Sequence, residues 1–274
     1  MSDRKASRTA LATAYLRAAH QLLDAAPRIL EDPVALSLLG AGAAQRIRDE
    51  ADAIQTPERR ALRAHVVLRS RYTEDRLAAA VARGVKQYVL LGAGFDTFAL
   101  RQPAWTGVLR IVEVDHAGTQ GEKRARIAQA GLAVPANVTF ASVDFERESL
   151  LEGLARHGVG LDEPTFFSWL GVTMYLAENA VEATLASVAA FPAGSEIVLT
   201  FASPEPSPLA AHVASLGEPW LSHFEPAAIE AKLRGAGFTA VEFLSLDEAE
   251  ARYFRDRPDD LPAPKRGGIV AAVR

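Results

Sequence analysis

"YVLLGAGFDTFALR", residues 88–101, joins a short apolar run to two closely spaced glycines. The apolar residues 88–91 predict a buried strand, and Gly92 and Gly94 predict a sharp turn from that strand into a helix. In open α/β sheets, ligands bind beyond the carboxyl ends of the strands, at turns of this kind. The stretch therefore predicts an α/β fold with a site for a nucleotide-like ligand at the turn.

Six further apolar runs follow, and stretches with a helical pattern separate most of them. They read "VLRIVEVD", "NVTFASVDF", "PTFFSWLGV", "SEIVLTFA", "AVEFLSL" and "GGIVAAV". Continuous apolar strands that alternate with helices indicate a mainly parallel sheet that is covered on both faces. The polar segment before the last run leaves room for a helix and an antiparallel final strand. Residues 1–85 contain no convincing strand, and we predict a long helix there that follows Pro57 and ends near Gly84.

The composition limits the class of protein. The chain has 274 residues, of which 49% are hydrophobic and 23% charged, as in globular domains. The net charge of −4 comes without a basic stripe, so nucleic acid is not expected as a partner. The chain contains no cysteine, which excludes disulfides. Neither a signal-peptide pattern nor a run of roughly 18 apolar residues occurs, so we expect a cytoplasmic protein that does not bind membranes.

Acidic residues end the next two predicted strands. Asp115 follows the glycine turn at the spacing where an acid can accept hydrogen bonds from both ribose hydroxyls. Asp144 and Phe145 end the following strand, where they could contact an adenine amine and the adenine ring. A dinucleotide fingerprint needs a third glycine at position 97, where this chain has Thr97. The alternative is that the strand-end acids only cap the helices that follow them.

Several motifs resemble one known family. They are "YVLLGAGFDTFALR", "VEVDHAGTQGEKR", "VTFASVDFE", "FFSWLGVTMYL", the N-terminal "SRTALATAYLRAAH" with "EDPVA", and "GEPWLSHFEP". In order and spacing they are similar to class I S-adenosylmethionine-dependent methyltransferases, specifically the leucine carboxyl methyltransferase superfamily and its bacterial group. The resemblance covers nearly the whole chain. It implies a seven-stranded Rossmann-like sheet with a reversed last strand (residues 86–274), and an N-terminal helical cap of the same domain (residues 1–85).

The resemblance also implies S-adenosyl-L-methionine as the cofactor and assigns its contacts. Gly92 and Gly94 would face the methionine part of the cofactor. Asp115 would hold the ribose, and Asp144 and Phe145 would hold the adenine.

The family places an arginine on the helix before the first strand, where it binds the cofactor carboxylate. In "LRSRYTEDRL" the best match is Arg69, and Arg71 is the alternative. A bidentate arginine–carboxylate pair is strong and directional. The chain differs from the family pattern in the motif "SWLGVTMYL", where many family members carry a glutamate and this chain has Leu170. A contact to the cofactor amino group is therefore in question, and the family's protein-phosphatase substrate is not assumed.

No catalytic residue is assigned from the sequence. Methyl transfer from a sulfonium depends mainly on orientation, and a carboxylate acceptor needs no general base. Among the histidines, His223 lies in a segment that could reach the active-site mouth, whereas His20 and His65 lie in helical patterns and are interpreted as structural or surface residues. Trp169 and Tyr175 lie around the end of the fourth strand, and core packing is the favoured interpretation for both.

The resulting hypothesis is a methyltransferase that acts on an oxygen of a small molecule or on a carboxylate. An NAD(P)-dependent oxidoreductase on a similar sheet is the alternative enzyme, and Thr97 argues against it. A catalytically inactive cofactor-binding or interaction protein is the alternative from another class. The absence of cysteine and of HExxH spacing predicts no metal site. The acceptor and the oligomeric state stay open.

Overall fold

The computed structural model describes residues 6–145, 147–265 and 267–274. One seven-stranded sheet has the strand order β3-β2-β1-β4-β5-β7-β6. Strands β1 to β5 pair in parallel, whereas β7 runs antiparallel to both β5 and β6. The predicted seven-stranded sheet with a reversed last strand is confirmed. The strands are β1 Gln87–Leu91, β2 Arg110–Asp115, β3 Val138–Ser142, β4 Thr165–Trp169, β5 Glu196–Phe201, β6 Ala240–Phe243 and β7 Gly268–Val273.

Helices precede the sheet and connect its strands. They are α1 Arg8–Leu23, α2 Ala35–Leu38, α3 Ala43–Asp49, α4 Ala51–Ile54, α5 Pro57–Ala82, α6 Phe98–Arg101, α7 Ala117–Gln129, α8 Leu150–Arg156, α9 Glu178–Ala189, α10 Pro208–Ser215, α11 Pro226–Ala236 and α12 Leu246–Ala249. Short 3₁₀ turns occur at Ala104–Val108 and Thr173–Tyr175, and a π-helical turn at Glu250–Phe254 follows α12. No helix in the described part of the chain is both long and apolar enough to cross a membrane.

The central strands are buried on both faces, which is why their sequences are continuously apolar. Every residue of β1, β4 and β5 is buried. Alternate side chains enter two separate apolar layers: Leu91 and Trp169 pack with the first layer, and Leu90 and Phe166 with the second. Since burial of apolar surface is the main stabilising contribution to folding, these strands form the structural base of the molecule.

Local signals in the sequence set the start of the long helix α5. Thr56 accepts a hydrogen bond from the amide of Arg59 at 3.4 Å, and Pro57 occupies the first helical position. Both residue types favour a helix start, because Thr satisfies a free amide and Pro has none to satisfy. The helix precedes β1 in the chain, and its N-terminal half lies against residues at the edge of the sheet where the parallel strands end.

The helices α1 to α4 form their own apolar cluster, and Phe95 from the glycine turn is part of it. A buried ion pair joins α1 to α5: Asp24 accepts hydrogen bonds from Arg63 Nε at 2.8 Å and from Arg63 Nη2 at 2.7 Å. The ring of His20 lies 2.7 Å from the same carboxylate. Burial alone would raise the pKa of Asp24, but these hydrogen bonds outweigh it and hold the pKa at about 2.

Candidate active site

The glycine turn after β1 is tied directly to the end of β2. Gly92 and Gly94 have φ values of 65° and 51°, in the left-handed region that favours glycine. The amide of Gly94 donates to Asp115 Oδ2 at 2.5 Å, and the amide of His116 donates to Asp115 Oδ1 at 2.7 Å. Burial raises the pKa of Asp115, although these two backbone donors oppose it. The strand-end acid therefore holds the turn in shape as well as facing the edge of the sheet.

Two other segments of the chain lie over this turn. A side chain at Gly92 would overlap Val172, which follows β4. A Cβ atom at Gly94 would lie 3.2 Å from the Cβ of Ala10 in α1. Gly92 thus contacts the segment after β4, and Gly94 contacts the first turn of α1. These two segments therefore meet at the point where the parallel strands end.

The side chain of Arg69 points to the same edge. A Cβ atom at Gly171, directly after β4, would lie 2.7 Å from Arg69 Nη1 and 2.9 Å from Nη2. Burial, and then the nearby charge of Arg17, lower the pKa of Arg69 to about 10. Within the described residues, no acceptor forms a hydrogen bond or ion pair with this guanidinium, although Tyr175 and Asp96 favour its charge. The site thus contains a cation with unused donors.

The alternative arginine has a different environment. Arg71 is exposed, and its Nε atom donates to Asp75 Oδ1 at 2.9 Å, one helical turn further along α5. Exposed pairs of this kind contribute little to stability. Of the two arginines named from the sequence, the structure therefore brings Arg69 to the strand ends and leaves Arg71 on the solvent side.

The second predicted acid, Asp144, follows β3 and is half-buried. Its amide donates to Glu148 Oε1 at 2.8 Å, and its carboxylate lies 3.7 Å from Arg147 Nε. The neighbouring Phe145 packs on the core, with its ring centroid 6.4 Å from that of Trp169. Asp115 ends β2 and Asp144 follows β3, and these strands are neighbours in the sheet. Phe145 gives an apolar side to the space beside Asp144.

Other residues near the turn have structural partners. Glu113 is buried and accepts from Lys123 Nζ at 2.5 Å, so it is paired away from the strand end. Thr97, at the position of the missing third glycine, is buried and donates to Asp32 Oδ2 at 2.6 Å. His116 caps α7 by accepting from the amide of Gly118 at 3.2 Å. The hydroxyl of Thr97 thus connects the turn to the N-terminal helices.

Three further residues named from the sequence either pack in apolar surroundings or are exposed. Trp169 is fully buried in the core, which matches the packing interpretation. Leu170 packs against the apolar layer that contains Phe166, so an apolar side chain occupies the position of the family glutamate. His223 is exposed, and its ring centroid lies 5.9 Å from that of Trp220. Among the residues described, no group of acids and histidines could hold a metal ion.

One histidine set aside in the sequence analysis lies at this edge. His65 precedes Arg69 by one turn on the same face of α5, and a Cβ atom at Gly267 would lie 2.6 Å from its Cε1 atom. Burial, and then the charge of Arg69, lower the pKa of His65 to about 3. The spacing of four residues from Arg69 is the signal in the sequence that could have identified it.

Comparison with known proteins identifies the family. Residues 10–189 match the model of the leucine carboxyl methyltransferase family. The chain belongs to this family. A Bacillus subtilis member named "Putative S-adenosyl-L-methionine-dependent methyltransferase YktD" is 30% identical, with 100% of both chains covered. A Streptomyces coelicolor member with the same description, SCO7813, is 30% identical over 97% of this chain and 94% of its own.

Solved structures share the fold of this family member. A methyltransferase-like protein from Thermobifida fusca superimposes with a TM-score of 0.57 at 20% identity, over 87% of this chain and 92% of its own. A protein of the duf574 family from Streptomyces avermitilis superimposes with a TM-score of 0.57 at 16% identity, over 98% of both chains. At these identities the likeness establishes the architecture alone.

Proposed function

We propose that this S-adenosyl-L-methionine-dependent methyltransferase methylates an oxygen atom of a small molecule or a carboxylate. Family membership supports the reaction class and the cofactor. The observation that carries the proposal is that Arg69, with free donors, and the Asp115-anchored glycine turn meet at one edge of the sheet.

The chemistry of these residues fits the cofactor. Arg69 offers a planar cation to an α-carboxylate, and a bidentate pair would use the donors that lack partners. Asp115 offers carboxylate oxygens to ribose hydroxyls, and the glycines at 92 and 94 allow close approach of the backbone. Phe145 offers an apolar side to the adenine ring beside Asp144. When bound, the cofactor supplies an activated methyl group on a sulfonium.

The acceptor half of the site supports an oxygen that needs no general base. His223 is exposed, and His20 is buried against Asp24 where α1 packs on α5. Transfer to an oxygen that is already ionised requires only that the two reacting groups are held in line. A carboxylate, or an acidic phenol or enol, meets this condition.

Calorimetric titration with S-adenosylhomocysteine and with NAD tests the cofactor assignment. We expect S-adenosylhomocysteine to bind and NAD not to bind. Tight binding of NAD without a response to S-adenosylhomocysteine would favour the oxidoreductase, and binding of neither would favour an interaction protein.

The class of acceptor is tested separately with radiolabelled S-adenosylmethionine and fractionated cell extracts. Labelled products are treated with mild alkali, which releases methanol from methyl esters but not from methyl ethers. Label found only on nitrogen, carbon or sulfur atoms would contradict O-methylation, even if the cofactor binds as expected.

A further inference from the structure

The N-terminal half of α5 presents two polar side chains to the carboxyl edge of the sheet. His65 and Arg69 lie one helical turn apart on the same face, since residues four apart in a helix are neighbours. Arg69 faces Gly171 after β4, and His65 faces Gly267, which leads into β7 beside the end of β5. The imidazole therefore lies beyond Arg69 on the side of β5, away from Asp115 and β2.

A glycine lies directly against each of these two side chains. A Cβ atom at Gly267 would lie 2.6 Å from Cε1, 2.9 Å from Nδ1 and 3.1 Å from Nε2 of His65. The backbone of Gly267 therefore lies against this edge of the imidazole, and a side chain at position 267 would overlap the ring. Gly267 and Gly171 have φ values of 94° and 72°, and these left-handed conformations favour glycine at both positions.

The imidazole has no partner within the described chain. Its Nδ1 atom is buried and forms no hydrogen bond with any described residue. The Nε2 atom also forms no hydrogen bond with a described residue and, unlike Nδ1, is not buried. Because polar groups in such partly buried positions are nearly always hydrogen-bonded, Nε2 is the nitrogen available to a ligand. His20 is the contrast, because its two ring nitrogens lie 2.7 Å from Asp24 Oδ2 and 3.4 Å from the amide of Leu30.

The charge of Arg69 decides which form of the imidazole is present. A proton taken up by His65 would place a second positive charge one turn from Arg69 in a partly desolvated position. Arg69 is the charged group that acts on His65 in the described chain, and no acid offsets it there. The imidazole is therefore neutral, with one N–H donor, and it is a poor acceptor of a proton.

We propose that His65 is an acceptor-binding residue, whose N–H group donates to a substrate oxygen that is already anionic. This inference rests on the proposed function and narrows its substrate class to carboxylates, phenolates and enolates. In the reaction, the bond from the substrate oxygen to the methyl carbon forms as the sulfur–methyl bond breaks. The negative charge of the oxygen and the positive charge of the sulfonium are both lost, so no proton has to move to His65.

Nitrogen-15 NMR of the full chain with labelled histidine, saturated with S-adenosylhomocysteine, tests the inference. The probe is sodium formate, the smallest carboxylate, and sodium chloride at equal ionic strength is its control. The resonances of His65 are assigned by their loss in His65→Gln. We expect them to show a neutral ring from pH 8 to pH 5 and to shift saturably with formate but not with chloride.

Variants make the test specific. His65→Leu, which has no donor, should weaken formate binding about 10-fold or more, as expected for loss of one hydrogen bond to a charged group. His65→Gln, which keeps an N–H donor, should weaken it less. The surface variant His212→Gln, in α10, should leave it unchanged. Circular dichroism confirms that each variant is folded.

The outcomes separate this inference from the proposed function. In one set of outcomes, S-adenosylhomocysteine binds while the His65 resonances do not shift with formate, or while they titrate near the ordinary histidine pKa. Either result would show that the inference is wrong and would leave the proposed cofactor in place. If S-adenosylhomocysteine does not bind, the proposed function fails first. Equal formate affinity in wild type and His65→Leu would also overturn the role of His65.

Discussion

The amide of Arg8 donates to Glu218 Oε1 at 2.6 Å, although 210 residues separate the two in the chain. The other carboxylate oxygen of Glu218 accepts from Ser7 Oγ at 3.0 Å, from the amide of Thr9 at 3.2 Å and from the Thr9 hydroxyl. A residue beyond α10 thus fixes the start of α1, the helix whose Ala10 lies against Gly94. These hydrogen bonds lower the pKa of Glu218 although its burial opposes them.

Glu218→Gln is predicted to speed exchange of the cofactor. The amide keeps the size of the side chain but loses its charge and one acceptor oxygen, so the start of α1 should leave Gly94 more easily. We expect the dissociation rate of S-adenosylhomocysteine in stopped-flow experiments to rise about 10-fold, as for loss of a hydrogen bond to a charged group. Glu152→Gln, at an exposed position of α8, is the control, and equal rates in all three proteins would contradict the prediction.

Asp115→Ala is predicted to weaken cofactor binding by about 1.5–3 kcal/mol, since ribose donors would lose a charged acceptor. The same change removes the acceptor for the amides of Gly94 and His116, so part of the loss would come from the turn itself. Calorimetry with S-adenosylhomocysteine measures the effect, and Asp115→Asn, which keeps one oxygen, should lose less. Normal affinity in a folded Asp115→Ala protein would mean that Asp115 only anchors the turn.

Arg69→Ala is predicted to raise the dissociation constant of S-adenosylhomocysteine about 10- to 100-fold, because it removes the free guanidinium at the strand ends. Arg71→Ala is the matched control, since this exposed side chain is already paired with Asp75 on the solvent side of the same helix. The larger loss in Arg71→Ala would show that the arginine of the family motif has been assigned two residues too early.

Asp24→Asn is predicted to lower the free energy of unfolding in a pH-dependent way. The pKa of Asp24 falls from 3.8 to about 2 on folding, which corresponds to about 2 kcal/mol of stability. Because the folded-state pKa is depressed, this contribution is complete above about pH 5 and is lost as the pH falls through about 2. Urea unfolding should show the difference between wild type and variant shrinking over that interval.

Asp162→Asn, at an exposed turn, is the control for the pH series, since it should follow wild type at every pH. A difference between wild type and Asp24→Asn that stays constant from pH 5 to pH 2 would mean that the Asp24 carboxylate does not titrate with folding.

The sequence alone was sufficient for a mainly parallel sheet of seven strands, although not for the order of the strands in it. The apolar runs of β1, β4 and β5 are continuous because both faces of these strands are buried, and burial is a property that residue type reports directly. The position of the glycine turn and of the acids after it could also be predicted, because parallel strands bring their carboxyl ends to one edge of the sheet.

The tertiary structure alone decided which polar side chains have partners. Arg69 and Arg71 are alike in sequence, yet the helix turns one toward the strand ends and the other toward solvent. His20 pairs with Asp24, four residues further along the chain, whereas only the folded chain shows that His65 lies against Gly267 and that its Nδ1 atom has no partner among the described residues. A hydrogen bond depends on atoms brought together by folding, whereas burial of a strand depends mainly on its own residues, so packing was predictable and pairing was not.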